Sequence, residues 1–120
     1  MATLERHMAQ YRAFKETAEL RQATPQSRVE LLFLAAYHLI DACTARKGQH
    51  INKHQMVRHE LEMNPSILGE RTDEVWRSFQ ELQGPCRAKF VYGGQWTGRD
   101  LRVALGLFTT IERRCLEVLE

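Results

Sequence analysis

The chain has 120 residues, of which 43% are hydrophobic and 27% charged, and its formal net charge is +2. This length fits a single domain spanning residues 1–120, and the composition is too rich in apolar residues for a disordered chain. The charge alone is too small to indicate a nucleic-acid-binding protein. The longest apolar run, Leu31 to Tyr37, is too short to cross a membrane.

Two further features predict a cytoplasmic protein without membrane association. The first residues carry scattered charges in place of the apolar core of a secretory signal. The three cysteines, Cys43, Cys86 and Cys115, are far apart, odd in number and form no CxxC pair. We therefore expect them to be buried free thiols that act as small hydrophobic residues.

Two amphipathic helices are predicted in the first half of the chain. From about Thr3 to Ala23, apolar residues recur every three or four positions, which defines one helical face. Thr24 can cap a second helix that has Pro25 at its first position and ends at Gly48. This second helix is apolar over so much of its surface that it should be the central one.

The second half contains a short helix and two long ones. The short helix should cover about Asn52 to Met63, and the next should open at Thr72. A kink or break is expected at Gly84-Pro85, inside this run. Thr97 and Asp100 have the spacing of a capping box at the start of the last helix.

The predicted fold class is therefore all-α, an antiparallel four-helix up-and-down bundle with one extra short helix between its second and third helices. Alternating patterns that would indicate strands are nearly absent. Eight residues should be buried together in the core: Phe33, Ala36, Ile40, Phe79, Leu82, Leu105, Phe108 and Ile111.

A basic stretch lies between Asp41 and Glu60, where no acidic residue occurs. It contains Arg46, Lys47, Lys53 and Arg58, with His50, His54 and His59. It can be a solvated face or a surface that binds phosphate or a partner, with Lys53 and His54 as candidates. His50 and His54, with His59 or Glu60, could also hold a metal ion. We assign no metal or cofactor, because His50 can precede the helix and His59 lies about 140° around it from His54.

His38 and Asp41 lie three residues apart on the second helix. Histidine titrates near neutral pH and a carboxylate can orient it, so the two could form an acid/base pair lining a cleft. The alternative is a polar contact on the helix surface.

The segment PCRAKFVYGGQW places Arg87 five residues before Tyr92, between a helix break and a glycine pair. An arginine held near a phenol can bind a phosphate or an RNA backbone. Alternatively, Arg87 only pairs with a glutamate across the bundle, and Tyr92 packs.

The chain resembles the HEPN superfamily of small helical bundles, in one of its uncharacterised bacterial or archaeal branches. The resemblance rests on AAYHLIDACTARKGQHINKH, QELQGPCRAKFVYG and ALGLFTTIERRCLEVL, and covers about Val29 to Leu119. It implies a homodimer and the ribonuclease motif Arg, four to six residues, then His. Arg87 matches the arginine, but Tyr92 stands at the tightest histidine spacing, and no histidine follows His59. Tyrosine, with an ordinary pKa near 10, is a poor general base at neutral pH.

The resulting functional hypothesis is a HEPN-like module that binds RNA, a nucleotide or a protein partner without strong catalysis. The resemblance implies a nucleotidyltransferase as one possible partner, as in toxin–antitoxin pairs. Two alternatives stay open: a metal-independent ribonuclease that uses Arg87 with His38 or His54, and a structural dimerisation subunit. The candidate site residues are Arg87, Tyr92, His38, Asp41, Lys53 and His54.

Overall fold

The structure, a computed structural model, describes residues 3–120, and this part of the chain is all-helical, without strands. Its α-helices are α1 (Leu4–Ala18), α2 (Pro25–Arg46), α3 (Val57–Met63), α4 (Thr72–Glu81), α5 (Arg87–Phe90) and α6 (Gly98–Leu119). Short 3-10 turns precede α3 and α4, at His54–Met56 and Gly69–Arg71. A π-helical turn, Leu82–Cys86, joins α4 to α5.

Side-chain caps fix where the long helices begin. The Thr24 hydroxyl accepts a hydrogen bond from the Ser27 backbone N–H at 3.1 Å, and Pro25 occupies the first position of α2. At α6, Asp100 N–H donates to Thr97 Oγ1 at 3.3 Å and Thr97 N–H donates to Asp100 Oδ2 at 2.9 Å. The predicted starts of α2 and α6 are therefore confirmed, and α6 has a complete capping box.

We expect Thr97→Ala to lower the free energy of unfolding by about 1 kcal/mol, because it leaves the Asp100 N–H without its acceptor at the start of α6. Thr109→Ala is the matched control, since Thr109 is exposed in the middle of the same helix. Alanine is the better helix former there, so the control should lose little or nothing. Urea denaturation of both variants measures the difference, and equal losses would contradict a capping role.

The first helix is shorter than predicted, because α1 ends at Ala18 and a turn follows instead of helix up to Ala23. Arg28, at the start of α2, donates from Nε to the Ala18 carbonyl at 3.0 Å. This bond satisfies a carbonyl at the end of α1 from a neighbouring helix. At the other end of α2, Gly48 adopts a left-handed φ of 74°, which confirms the predicted stop.

The chain does not break at Gly84-Pro85. Instead, α4, the π-helical turn and α5 run on continuously from Thr72 to Phe90, with Pro85 inside the π turn. A π turn changes the hydrogen-bonding register for one turn, so the missing N–H of Pro85 is accommodated without ending the helix.

The core lies around α2, which packs against α1 and α6, while α6 also packs against α4. Seven of the eight predicted core residues are buried, and Leu105 is the exception, since it is partly exposed in a cleft between α1, α2 and α6. The three cysteines are buried free thiols, as predicted. Within residues 3–120, no helix combines the length and apolar character needed to cross a membrane.

Candidate functional site

Three histidines and one aspartate meet where α1 crosses the end of α2. This histidine–aspartate cluster consists of His7 on α1, His38 and Asp41 on α2, and His50 in the loop after α2. Asp41 Oδ2 lies 3.3 Å from His7 Nε2 and 3.0 Å from His50 Nδ1. His7 and Asp41 are buried, whereas the side chain of His50 is 28% exposed. The cluster thus has one side toward solvent.

The second carboxylate oxygen, Asp41 Oδ1, is held by two donors. It accepts a hydrogen bond from the Ile51 backbone N–H at 2.9 Å and another from the Thr44 hydroxyl. The Tyr37 hydroxyl in turn donates to the Ile51 carbonyl at 2.7 Å. Gly48 reverses the chain just before this point, so His50 and Ile51 return along the end of α2. These contacts fix Asp41 and leave Oδ2 facing the two histidines.

His7 and His38 contact each other through their Nδ1 atoms, which are 3.1 Å apart. One of these atoms must carry the proton, so the pair is a hydrogen bond between two imidazoles. Burial lowers the pKa of His7. The nearby Asp41 carboxylate acts in the opposite direction and raises this pKa, whereas His50 lowers it further. Burial also lowers the pKa of His38, with a further lowering by His7. Both shifts favour neutral imidazoles at neutral pH.

The predicted His38–Asp41 pair belongs to this cluster, but His7 stands between its members. His7 contacts His38 through one ring nitrogen and approaches Asp41 with the other. The sequence reasoning missed His7 as a site residue. A signal was present, because His7 lies three residues after Leu4 and four before Tyr11, on the apolar face of α1.

Arg87 and Tyr92 form a separate group with Glu30 and Phe33, which we call the arginine cluster. Arg87 donates to both carboxylate oxygens of Glu30, from Nε at 3.0 Å and from Nη2 at 3.2 Å. Nη2 also donates to the Tyr92 hydroxyl at 3.0 Å. The guanidinium lies 4.1 Å from the Phe33 ring centre. Arg87 and Tyr92 are therefore together, and the alternative contact with a glutamate across the bundle is present as well.

The arginine cluster and the histidine–aspartate cluster have no residue in common. His54 lies between them: its ring packs edge-on against Phe33 with 5.1 Å between centres and against Tyr37 with 6.2 Å. His54 is thus not the partner of His50 considered in the sequence.

Exposed cations lie at the end of α2 and in the loop that follows it. Arg46, Lys47 and Lys53 are exposed and form no ion pair within residues 3–120, and we call these three residues the basic segment. Arg58 differs, because its Nε lies 3.0 Å from Glu62 Oε1 and its guanidinium stacks on Trp76 at 4.0 Å.

Comparisons with protein-family models, with curated proteins and with solved structures found no match to this chain.

Proposed function

We propose that this protein is a helical binding module for RNA or another ligand that carries several phosphates, and that the basic segment is its main contact. The observation that supports this is the exposure of Arg46, Lys47 and Lys53 without ion-pair partners in the described chain. Such unpaired cations contribute most to the free energy of binding a polyanion. They give up no ion pair within the protein, and their contact with phosphates releases the counterions of the ligand.

The proposal retains the HEPN-like interpretation of the fold. In it, α1, α2, the continuous α4–α5 helix and α6 are the four helices of an up-and-down bundle, and α3 is the extra short helix. The packing of α2 against α1 and α6, and of α6 against α4, supports this arrangement. Tyr92 at the histidine position of the motif supports binding without strong catalysis.

The test is fluorescence anisotropy with a labelled single-stranded RNA at several stated salt concentrations. We expect the triple variant Arg46→Gln, Lys47→Gln, Lys53→Gln to bind at least about tenfold more weakly than the parent protein. The slope of log K against log salt should fall by about 2, since each lost phosphate contact on a single strand contributes about 0.7.

The matched control is the triple variant Arg21→Gln, Arg99→Gln, Arg102→Gln, which removes the same charge from exposed positions. The three control residues lie near the start of α2, at the opposite end of that helix from the basic segment. Arg21 follows the end of α1, which contacts Arg28 at the start of α2. Arg99 and Arg102 lie at the start of α6, which runs parallel to α2 because Cys43 near the end of α2 contacts Cys115 near the end of α6. Equal losses in the two triple variants would contradict a specific role for the basic segment, and no binding by the parent would refute the proposal.

A metal-independent ribonuclease is the second candidate function. It is supported by one observation, that Arg87 and His54 both contact the Phe33 ring. The Arg87 guanidinium carbon lies 4.1 Å from the ring centre of Phe33, and the ring centre of His54 lies 5.1 Å from it. Cleavage of total RNA in the presence of a chelator tests it, and the activity should disappear in Arg87→Ala and in His54→Ala. Glu30→Gln should raise the activity, because it weakens the hold of Glu30 on Arg87. Activity that is insensitive to all three changes would exclude these residues.

We also propose a cytoplasmic homodimer, with a nucleotidyltransferase as a possible second partner. The homodimer rests on the resemblance, and Leu20 and Val103, each 51% accessible, are two apolar side chains available to an interface. Light scattering at micromolar concentration should give twice the monomer mass of 14.0 kDa. The monomer mass under these conditions would contradict the dimer and leave the binding module as a monomer.

A further inference from the structure

Three potential metal ligands converge in the histidine–aspartate cluster. His7 Nε2, Asp41 Oδ2 and His50 Nδ1 all lie within 4.8 Å of one another, and Asp41 Oδ2 is 3.3 Å and 3.0 Å from the two nitrogens. Two ligands bound at about 2.1 Å, and separated by tetrahedral or octahedral angles, lie about 3.0–3.4 Å apart. The two distances to Asp41 Oδ2 are therefore those of neighbouring ligands around one ion.

Within the described part of the chain, the same three atoms lack hydrogen-bond partners. His7 Nε2, Asp41 Oδ2 and His50 Nδ1 are buried, and within residues 3–120 none makes a contact with hydrogen-bond geometry, despite the short distances. Buried polar atoms are paired in the great majority of cases, and an unpaired one is costly. A cation placed between them would satisfy all three atoms at once.

The second polar atoms of Asp41 and His7 are already engaged in contacts that would orient the two ligands. Asp41 Oδ1 accepts from Ile51 and Thr44, so the carboxylate is oriented and Oδ2 is available. If His7 Nδ1 carries the proton and donates to His38 Nδ1, the lone pair of His7 is on Nε2 and faces Asp41. Metal-ligating histidines almost always donate their other ring N–H, usually to a carboxylate, a backbone carbonyl or water, and here His38 Nδ1 takes the place of that acceptor.

A simple ion pair between a protonated histidine and Asp41 explains the cluster less well. It would require at least one N–H to point at Asp41 Oδ2, and neither His7 Nε2 nor His50 Nδ1 has that geometry.

We propose that His7 Nε2, Asp41 Oδ2 and His50 Nδ1 coordinate a divalent transition-metal ion, with Zn²⁺ or Co²⁺ as suitable ions. Two imidazoles and one carboxylate suit these borderline ions better than Ca²⁺ or Mg²⁺, which prefer all-oxygen ligand sets. His38 is a positioning residue that sets the tautomer of His7. The ion reaches the site past His50, the one partly exposed ligand, and links α1, α2 and the loop after α2.

The experiment is a titration of the chelator-treated full chain with Co²⁺, followed by visible d–d absorption, and with Zn²⁺, followed by calorimetry. We expect one ion per chain, and a Zn²⁺-dependent rise in the thermal midpoint of unfolding. His50→Gln and His7→Gln should each weaken binding by more than about 100-fold. His38→Leu should weaken it by about 10–100-fold, as for other residues that orient a ligand.

His59→Gln is the matched control, because His59 is an exposed histidine outside the cluster, and its affinity should equal that of the parent. Circular dichroism checks that each variant is folded. If His7→Gln does not fold, the affinity of His50→Gln for the metal ion tests the proposal alone. His50 is 28% exposed, so its replacement should disturb the fold less than that of the buried His7. The proposal is overturned if the parent binds no ion stoichiometrically, or if His50→Gln binds as tightly as the His59→Gln control.

Discussion

Replacing Phe33 by alanine should lower the free energy of unfolding by about 3–5 kcal/mol, the usual range for a fully buried phenylalanine. Phe33 is 1% exposed on α2, and its ring stacks on Phe79 with 5.4 Å between centres. His54 packs on its edge and the Arg87 guanidinium lies over it. The truncation therefore opens a cavity between α2, α4 and α5, which the surrounding helices cannot readily fill.

The control is Tyr92→Ala, which removes an aromatic side chain that is 68% exposed. Surface changes of this kind usually alter stability by no more than about 0.5 kcal/mol. Reversible urea denaturation measures both variants. A loss below about 1 kcal/mol in Phe33→Ala would show that this region is loosely packed or that α4 and α5 lie elsewhere.

The parts of the fold that depend on local chemistry could be predicted from the sequence. Thr24-Pro25 and the Thr97–Asp100 box determine helix starts through contacts within four residues, so their signals are complete in the sequence. The end of α1 depends on Arg28 reaching the Ala18 carbonyl from the next helix. At Gly84-Pro85, where local rules predict a kink or break, a π turn keeps the helix continuous. A contact from the next helix therefore accompanies the earlier end of α1, which the local pattern placed at Ala23.

The residues of the candidate site could likewise be predicted only in part from the sequence. His38 and Asp41 could be associated because residues three apart share a helix face. His7 is 34 positions from Asp41, and only the packing of α1 on α2 brings the two together. His50 and His54 were considered as a pair, but the loop after Gly48 turns His50 toward Asp41, while His54 starts a 3-10 turn and faces Phe33. The four-residue spacing of His50 and His54 could not show that their side chains face different parts of the molecule.

Asp41→Ala should cost about 1–3 kcal/mol of unfolding free energy, measured in the presence of a chelator so that metal binding makes no contribution. Asp41 is completely buried, and its Oδ1 atom accepts hydrogen bonds from Ile51 and Thr44. Alanine leaves the Ile51 N–H buried without an acceptor, which costs about 1–3 kcal/mol. The Thr44 hydroxyl keeps an acceptor, because it also lies 2.8 Å from the backbone carbonyl of residue 41. The loop that carries His50 also loses its anchor to α2, so its amides should exchange hydrogen faster.

Asp41→Asn is the matched variant, because an asparagine keeps one carbonyl oxygen of nearly the same shape and can still accept from Ile51 and Thr44. It should therefore lose clearly less stability than Asp41→Ala under the same conditions. The decisive result is which of the two variants loses more unfolding free energy. This comparison distinguishes the contribution of the hydrogen bonds to Oδ1 from that of the negative charge. If the two lose equal amounts, the charge of Asp41 rather than its bonds to Ile51 and Thr44 stabilises the end of α2. If Asp41→Ala loses less than about 1 kcal/mol, the buried position of this carboxylate is itself contradicted.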